Sequence, residues 1–195
     1  MSYSKLKQGE SVPFSETLSI QLIQQKDLVD IFKMLADENV NQYLFFAPAD
    51  ESVYQSFFGP IVENTEAALK EQQWPDNPTF VIRNHQGQYM GMTAITQVMF
   101  LDGNREVGYQ LPVHAWGQGI ATRACQLMTE LAFKALGCHK VCADCYGSNI
   151  GSYTTLEKCG YVQEGEHAEY YQTAQGFDSK RLYGLTQQQY LNNGT

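Results

Sequence analysis

Long hydrophobic runs are missing from this chain. No apolar stretch in its 195 residues approaches the roughly 20 needed to span a bilayer, so no membrane partner is expected. Positive charge is scarce as well. Lys and Arg number 13 against 21 Asp and Glu, a net charge of −8, and so acidic a chain is not expected to bind nucleic acid or an anionic membrane surface. Repeats, low-complexity tracts and linkers are absent, which makes one domain over 1–195 the expectation, with 1–17 as a polar N-terminal extension. Met1 to Pro13 is polar and lacks a signal-peptide pattern, so a cytoplasmic location is expected. A disulfide framework is lacking too: Cys125, Cys138, Cys142, Cys145 and Cys159 are odd in number and irregular in spacing, the pattern of reduced thiols.

What is present reads as an ordinary globular composition, 43% hydrophobic and 17% charged, enough to build a core. The charge is unevenly placed. Arg105 to Gly160 holds five bases and four acids, a net +1 that leaves −9 for the remainder. An anionic ligand beside the basic window and a cationic amine beside the acidic remainder fit this division, as does a merely solvated acidic surface. Cys142-Ala143-Asp144-Cys145, with Cys138 and His139 nearby, imitates a metal knuckle. If Lys140 to Tyr146 is a strand, however, residues three apart face opposite ways, and no metal is expected.

The most informative stretch is Leu111-Pro112-Val113-His114-Ala115-Trp116-Gly117-Gln118-Gly119-Ile120-Ala121-Thr122-Arg123. A strand-like run, Glu106 to Leu111, enters it and stops at Pro112, which has no N–H to donate to a ladder. A helical stripe of Ile120, Ala124, Leu127, Met128, Leu131 and Ala135 leaves it. No acid occurs from Leu111 to Thr129, although helix starts favour carboxylates. An acid-free first turn after Gly117 and Gly119 suits an anion resting on backbone N–H groups. Two other readings of these residues stay open: a tight strand-to-helix turn whose glycines supply backbone freedom, and a G-x-G-x-x-G dinucleotide fingerprint with Thr122 in its third position.

Elsewhere, Leu18, Ile20 and Leu22 alternate as in a half-buried strand, and Asp27 is placed to cap a helix with the stripe Leu28, Ile31, Phe32 and Leu35. Glu51 to Gln73 reads as a helix interrupted near Gly59-Pro60, and Trp74 to Pro78 as a loop. Thr79 to Arg83 and Tyr89 to Phe100 read as strands, with a second hairpin signal at Asp102-Gly103-Asn104. The long helix is expected to end at Leu136 with Gly137 as a left-handed cap. Lys140 to Tyr146 is a strand, Asn149 to Cys159 a helix closed by Gly160, and Tyr161-Val162, Tyr170-Tyr171 and Lys180 to Leu185 are further strand signals.

The central stretch resembles motif A of the GCN5-related N-acetyltransferases, Q/R-x-x-G-x-G/A. Gln118-Gly119-Ile120-Ala121 match its second half, and Trp116 stands where Gln or Arg is usual. Asn149-Ile150-Gly151-Ser152-Tyr153, followed by Leu156-Glu157-Lys158-Cys159-Gly160-Tyr161, resembles the family's N-x-x-S helix ending K-x-G-F/Y. The resemblance runs from about Leu18 to Leu185, and the wording around Trp116 is most similar to the branch that acetylates N-termini of ribosomal proteins. In place of that branch's Arg-rich first strand stands Ser19-Ile20-Gln21-Leu22-Ile23-Gln24. The resemblance implies a layered α/β fold: a mixed, mostly antiparallel central sheet flanked by helices, with two splayed strands between which pantetheine lies. It implies acetyl-CoA as co-substrate and no metal. The cofactor-binding residues would be Leu111, Val113, Trp116, Gly117, Gln118, Gly119, Ile120, Ala121 and Thr122, with Asn149 and Ser152 from the second motif. Read on its own, Asn149 is equally a helix cap.

The implied chemistry needs a neutral amine. Lysine side chains, with a pKa of about 10.4, are mostly protonated at neutral pH, and α-amines, at about 7.7 to 8.0, are partly free, so a general base helps. Glu106, on the strand entering the turn, and Glu169, in Ala168-Glu169-Tyr170, are the candidate bases. Ser152, and more weakly Tyr153, are candidates for returning a proton to the departing sulfur. A backbone N–H near Leu111 to Val113 is expected to steady the developing oxyanion. Three functions compete: acetylation of a protein α-amine such as that of a ribosomal protein, acetylation of a small amine (polyamine, amino acid or aminoglycoside), and a non-catalytic acyl-CoA sensor. The sequence is silent on oligomeric state.

Overall fold

The structure, a computed structural model, describes residues 2–193, so Met1, Gly194 and Thr195 of the expected 1–195 domain lie outside it. The chain folds as two compact units, one of Met1–Ala94 and Tyr109–Gln118, the other of Ile95–Gly108 and Gly119–Thr195.

The first unit contains α1 (Tyr3–Lys7), β1 (Val12–Pro13), β2 (Leu18–Leu22), α2 (Leu28–Leu35), α3 (Glu38–Asn41), α4 (Glu51–Lys70), β3 (Thr79–Asn84) and the start of β4 (Tyr89–Gln97). β1 through β4 pair in sequence order, each antiparallel to the next. Ile20 and Leu22 are fully buried, as their alternation predicts. The stretch read as a polar extension is built in: Leu6, Val12 and Phe14 are buried, and Val12 pairs with Ile20. Isolated apolar residues among polar ones carry no period, so the sequence hid that strand.

Two expectations need correction here. Asp27 makes no side-chain cap to α2. Its buried carboxylate instead accepts from the Gln24 N–H at 2.9 Å and from Arg83 at 2.7 Å. Arg83 also pairs with Asp30 at 2.7 Å, so a buried charge is matched as burial requires. Nor is α4 interrupted: Pro60 sits inside one continuous helix. A mid-helix proline costs about 3 kcal/mol, which the burial of Tyr54, Phe58 and Val62 along the same helix outweighs.

The second unit takes the end of β4, most of β5 (Asn104–Gln110), then α5 (Ile120–Ala135), β6 (Lys140–Tyr146), α6 (Ile150–Lys158), β7 (Val162–Thr173), β8 (Gly176–Thr186) and α7 (Gln187–Asn193). β5 and β6 are parallel, β8 pairs antiparallel with β6, and β7 lies antiparallel on the far side of β8. The strands are thus mixed and mostly antiparallel, as expected. Val141, Ala143 and Cys145 form one buried face of β6, with α5 and α6 packed against the strand. Gly137, at φ 68°, follows the end of α5 as the left-handed cap. β7 and β8 are longer than the sequence suggested because β7 is exposed along almost its whole length and a solvated strand has no hydrophobic alternation to read. Among the described residues, no helix is long and apolar enough to cross a membrane.

Candidate active site

The turn entering α5 is shaped by two left-handed glycines, Gly117 at φ 70° and Gly119 at φ 72°. A Cβ at either would meet no heavy atom within 4 Å, so backbone conformation, not crowding, demands glycine there. Gly119 is the residue before the helix, and the first turn, Ile120, Ala121 and Thr122, contains no acid. The opening N–H groups of a helix have no partner within it, and here no side-chain carboxylate competes for them. An anion fits that helix start.

The residues leading to this turn belong to the first unit. Leu111 lies against Gly91 of β4, where any Cβ would collide with its side chain. Val113 opens a single 3₁₀ turn, Val113–Ala115, after Pro112. The Trp116 indole N–H donates to the Leu111 carbonyl at 2.8 Å, and the Gln118 amide donates to the His114 carbonyl at 2.8 Å. Trp116 therefore braces its own loop.

In the second unit the parallel ladder between β5 and β6 runs from Asn104↔Lys140 to Glu106↔Cys142 and then ends. β6 continues to Tyr146, paired with β8. The edge of β6 beyond Cys142 is one along which an extended amide-bearing chain can lie. Beyond β6, Asn149 caps α6, its side-chain oxygen accepting from the Ser152 N–H at 3.1 Å. Ser152 shares a side-chain hydrogen bond with Cys145, whose thiol is pushed up to about 11, chiefly by burial. Tyr153 lies under the Arg181 guanidinium, 4.4 Å from ring centroid to Cζ. The Cys159 thiol, at the end of α6, donates to the Thr122 carbonyl at 3.4 Å, tying the second motif to the first turn of α5. All five cysteines are free thiols; Cys142 bonds Asn104 while Cys145 meets Ser152 on the opposite face.

Glu106 does not stand alone. Its carboxyl is raised above the usual range, first by burial and then by Asp144, with Lys180 opposing. Asp144 and Lys180 form an ion pair at 2.6 Å, and the Tyr171 hydroxyl donates to Asp144 at 3.4 Å. Sequence reasoning missed these three residues. The period of β6 put Asp144 and Cys142 on one face, but nothing in the sequence said that β8 pairs with β6. The other candidate base, Glu169, is exposed on β7 at φ 51°, inside the irregularity between His167 and Tyr171. Glu106 and Ser152 both lie in the second unit, as does Glu169.

A family model described as "Acetyltransferase (GNAT) domain" matches residues 17–162. Spermidine N(1)-acetyltransferase of Vibrio cholerae is 24% identical over 178 residues, covering 90% of this chain and 96% of its own. The putative ribosomal N-acetyltransferase YdaF of Bacillus subtilis is 24% identical, covering 78% and 81%. Among solved structures, the Vibrio cholerae spermidine N-acetyltransferase in complex with CoA and spermine superposes with a TM-score of 0.76 at 19% identity, over 91% of this chain and all of that one (100%). The Vibrio fischeri ribosomal-protein-S5-alanine acetyltransferase does so at 0.69 and 21%, over 91% and 96%. With most of its length under the family model, the chain belongs to the GNAT acetyltransferases, enzymes that move an acetyl group from acetyl-CoA to an amine.

Proposed function

We propose that this protein acetylates a small cationic amine of the polyamine class. The observation that carries the choice of acceptor is the exposed carboxyl-bearing Glu106 of β5 with Tyr146, Tyr170 and Tyr171 grouped on the neighbouring strands, in a chain of net charge −8; the Asp144 carboxylate nearby is already paired with Lys180. Carboxylates and aromatic faces are the groups that recognise organic cations. The spermidine acetyltransferase relative agrees with this reading across nearly its whole length.

Acetyl-CoA supplies the thioester carbon to be attacked and the thiolate that leaves. The protein's part is placement and proton handling. The N–H groups at the start of α5 hold the diphosphate, with Gly117 and Gly119 keeping side chains out of its way. The strand edge beyond Cys142 on β6 offers backbone groups to the pantetheine amides. Glu106 takes a proton from the incoming ammonium so that nitrogen presents a lone pair. Nitrogen–carbon bond formation and carbon–sulfur cleavage then leave a thiolate and a nitrogen with one proton more than the amide keeps; that proton passes to the sulfur through the hydroxyl of Ser152, or of Tyr153 next to it, which ends the step as it began. The Glu169 alternative assigns the proton-accepting role to β7 instead.

A second reading, an α-amine at a protein N-terminus, is favoured by the wording Trp116 to Thr122 and by the fold shared with the S5-alanine acetyltransferase. Following free CoA thiol with acetyl-CoA and a panel of spermidine, spermine, amino acids, aminoglycosides and N-terminal peptides separates them. Release with polyamines is expected. Release with Ala- or Ser-terminated peptides alone would overturn the small-amine reading, and none with any acceptor would point to an acyl-CoA sensor.

A further inference from the structure

On one face of the second unit's sheet, Glu106 sits beside Cys142, and Asp144 follows two residues further along β6. Tyr146, on that same face, is opposite Lys180 of β8. The Lys180 ammonium lies 2.6 Å from Asp144, and both side chains are largely enclosed, 19% and 24% exposed. This is no rim contact of the kind that contributes next to nothing. The lysine also lies over the Tyr170 ring, 5.0 Å from its centroid. The other oxygen of Asp144 accepts from Tyr171, and that ring stacks on Tyr146 at 3.7 Å. Asp144 is thus fixed from two sides, and its charge is held at a set place along the strand next to Glu106.

We propose that Asp144 and Lys180 are positioning residues for Glu106, a fixed pair of opposite charges that sets the pH at which Glu106 releases its proton. This rests on the reading of Glu106 as the proton acceptor. Within the pair the two charges oppose each other: Asp144 favours the protonated form of Glu106, Lys180 the carboxylate. With both present the carboxyl of Glu106, an exposed residue of β5, stays poised to accept. With Lys180 alone it would lose basicity, and with Asp144 alone it would be protonated too readily. The other groups on this face are either neutral or self-compensated. The Cys142 thiol is pushed up by burial and bonded to Asn104. Lys140 is paired with Glu164 at 2.7 Å. Burial raises the Tyr171 and Tyr146 hydroxyls. Arg105, the neighbour of Glu106, belongs to the opposite face of β5, where it pairs in register with Val141 and hydrogen-bonds Cys138.

The test is a ¹³C NMR titration of the Glu106 carboxyl in the full-length protein without donor or acceptor, the resonance assigned by its loss in Glu106→Gln. Lys180→Met is expected to move the Glu106 titration up and Asp144→Asn to move it down. Each shift should be on the order of half a pH unit or more, as for a unit charge one strand away. The double variant should return toward wild type, and Lys180→Arg, which keeps the charge, should titrate like wild type and shows whether position 180 can be altered without unfolding. The acidic limb of the kcat/KM profile should follow the same order. A Glu106 titration unmoved in folded Lys180→Met and Asp144→Asn overturns the proposal. A titration that moves as expected while Glu106→Gln keeps full turnover upholds the electrostatic pairing and removes Glu106 as the base instead.

Discussion

Placing a carboxylate in the first turn of α5 should stabilise the protein and cripple its cofactor binding at once. Ala121 is the second residue of the helix and is half-buried, in a turn that has no acid. A glutamate there meets the positive end of the helix and gains about 0.3 to 1 kcal/mol, of which the weaker helix propensity relative to alanine takes back a few tenths. The melting temperature of Ala121→Glu should therefore hold or rise, by at most about 3 °C for a chain this long. An anion bound on the same N–H groups would lie about 6 Å from the new carboxylate, one helical turn's spacing. At that distance two like charges repel by about 0.7 kcal/mol in water-like surroundings and about 2.8 kcal/mol at an effective dielectric of 20. Affinity for acetyl-CoA should fall by about 3-fold to 100-fold, and the loss should shrink as salt is added. Calorimetry with Ala121→Gln as the uncharged control reads the effect. Equal losses for Gln and Glu would mean that size, not charge, disturbed the site. Wild-type affinity for Ala121→Glu would refute the anion-holding helix start outright.

Other consequences can be checked alongside. Gly119→Ala meets no steric obstacle but must adopt φ 72°, a strain of about 1 to 2 kcal/mol that denaturant unfolding should record. Arg83→Met strands the fully buried Asp27 carboxylate, and a loss of about 3 to 5 kcal/mol is expected, largely recovered when Asp27→Asn is added. Ser152→Ala should lower turnover more than acetyl-CoA affinity; an unchanged turnover number would remove Ser152 from the mechanism. Because the folded protein raises the Glu106 carboxyl above its ordinary value, the fold binds that proton more tightly than the unfolded chain. This group's contribution therefore favours folding at low pH and is lost as pH rises through the shifted range. Glu106→Gln should accordingly gain stability relative to wild type near neutral pH and lose that advantage in acid, as thermal melts across pH would show.

The parts of this molecule governed by local chemistry were legible in the sequence. Pro112 ended a strand, Gly137 and Gly160 closed helices, and the acid-free start with Gly117 and Gly119 marked the turn that the structure builds around left-handed glycines. The family match over residues 17–162 covers the same segments. What stayed hidden depended on partners distant in sequence. Asp27 looked like a cap because its salt bridge to Arg83 spans 56 residues. Pro60 looked like a break because the burial that holds α4 together is tertiary. Val12 and Phe14 looked like part of a tail because only the β1–β2 pairing gives them a core. The surroundings of Glu106 were invisible for the same reason: Lys180 reaches Asp144 through the insertion of β8 between β6 and β7.

The most direct test is calorimetric titration of the folded wild-type protein with acetyl-CoA, in the presence and absence of spermidine. The account predicts saturable one-site binding of acetyl-CoA that competes with CoA and is weakened by salt, with turnover when spermidine is added. A folded protein that ignores acetyl-CoA at millimolar concentration would contradict it.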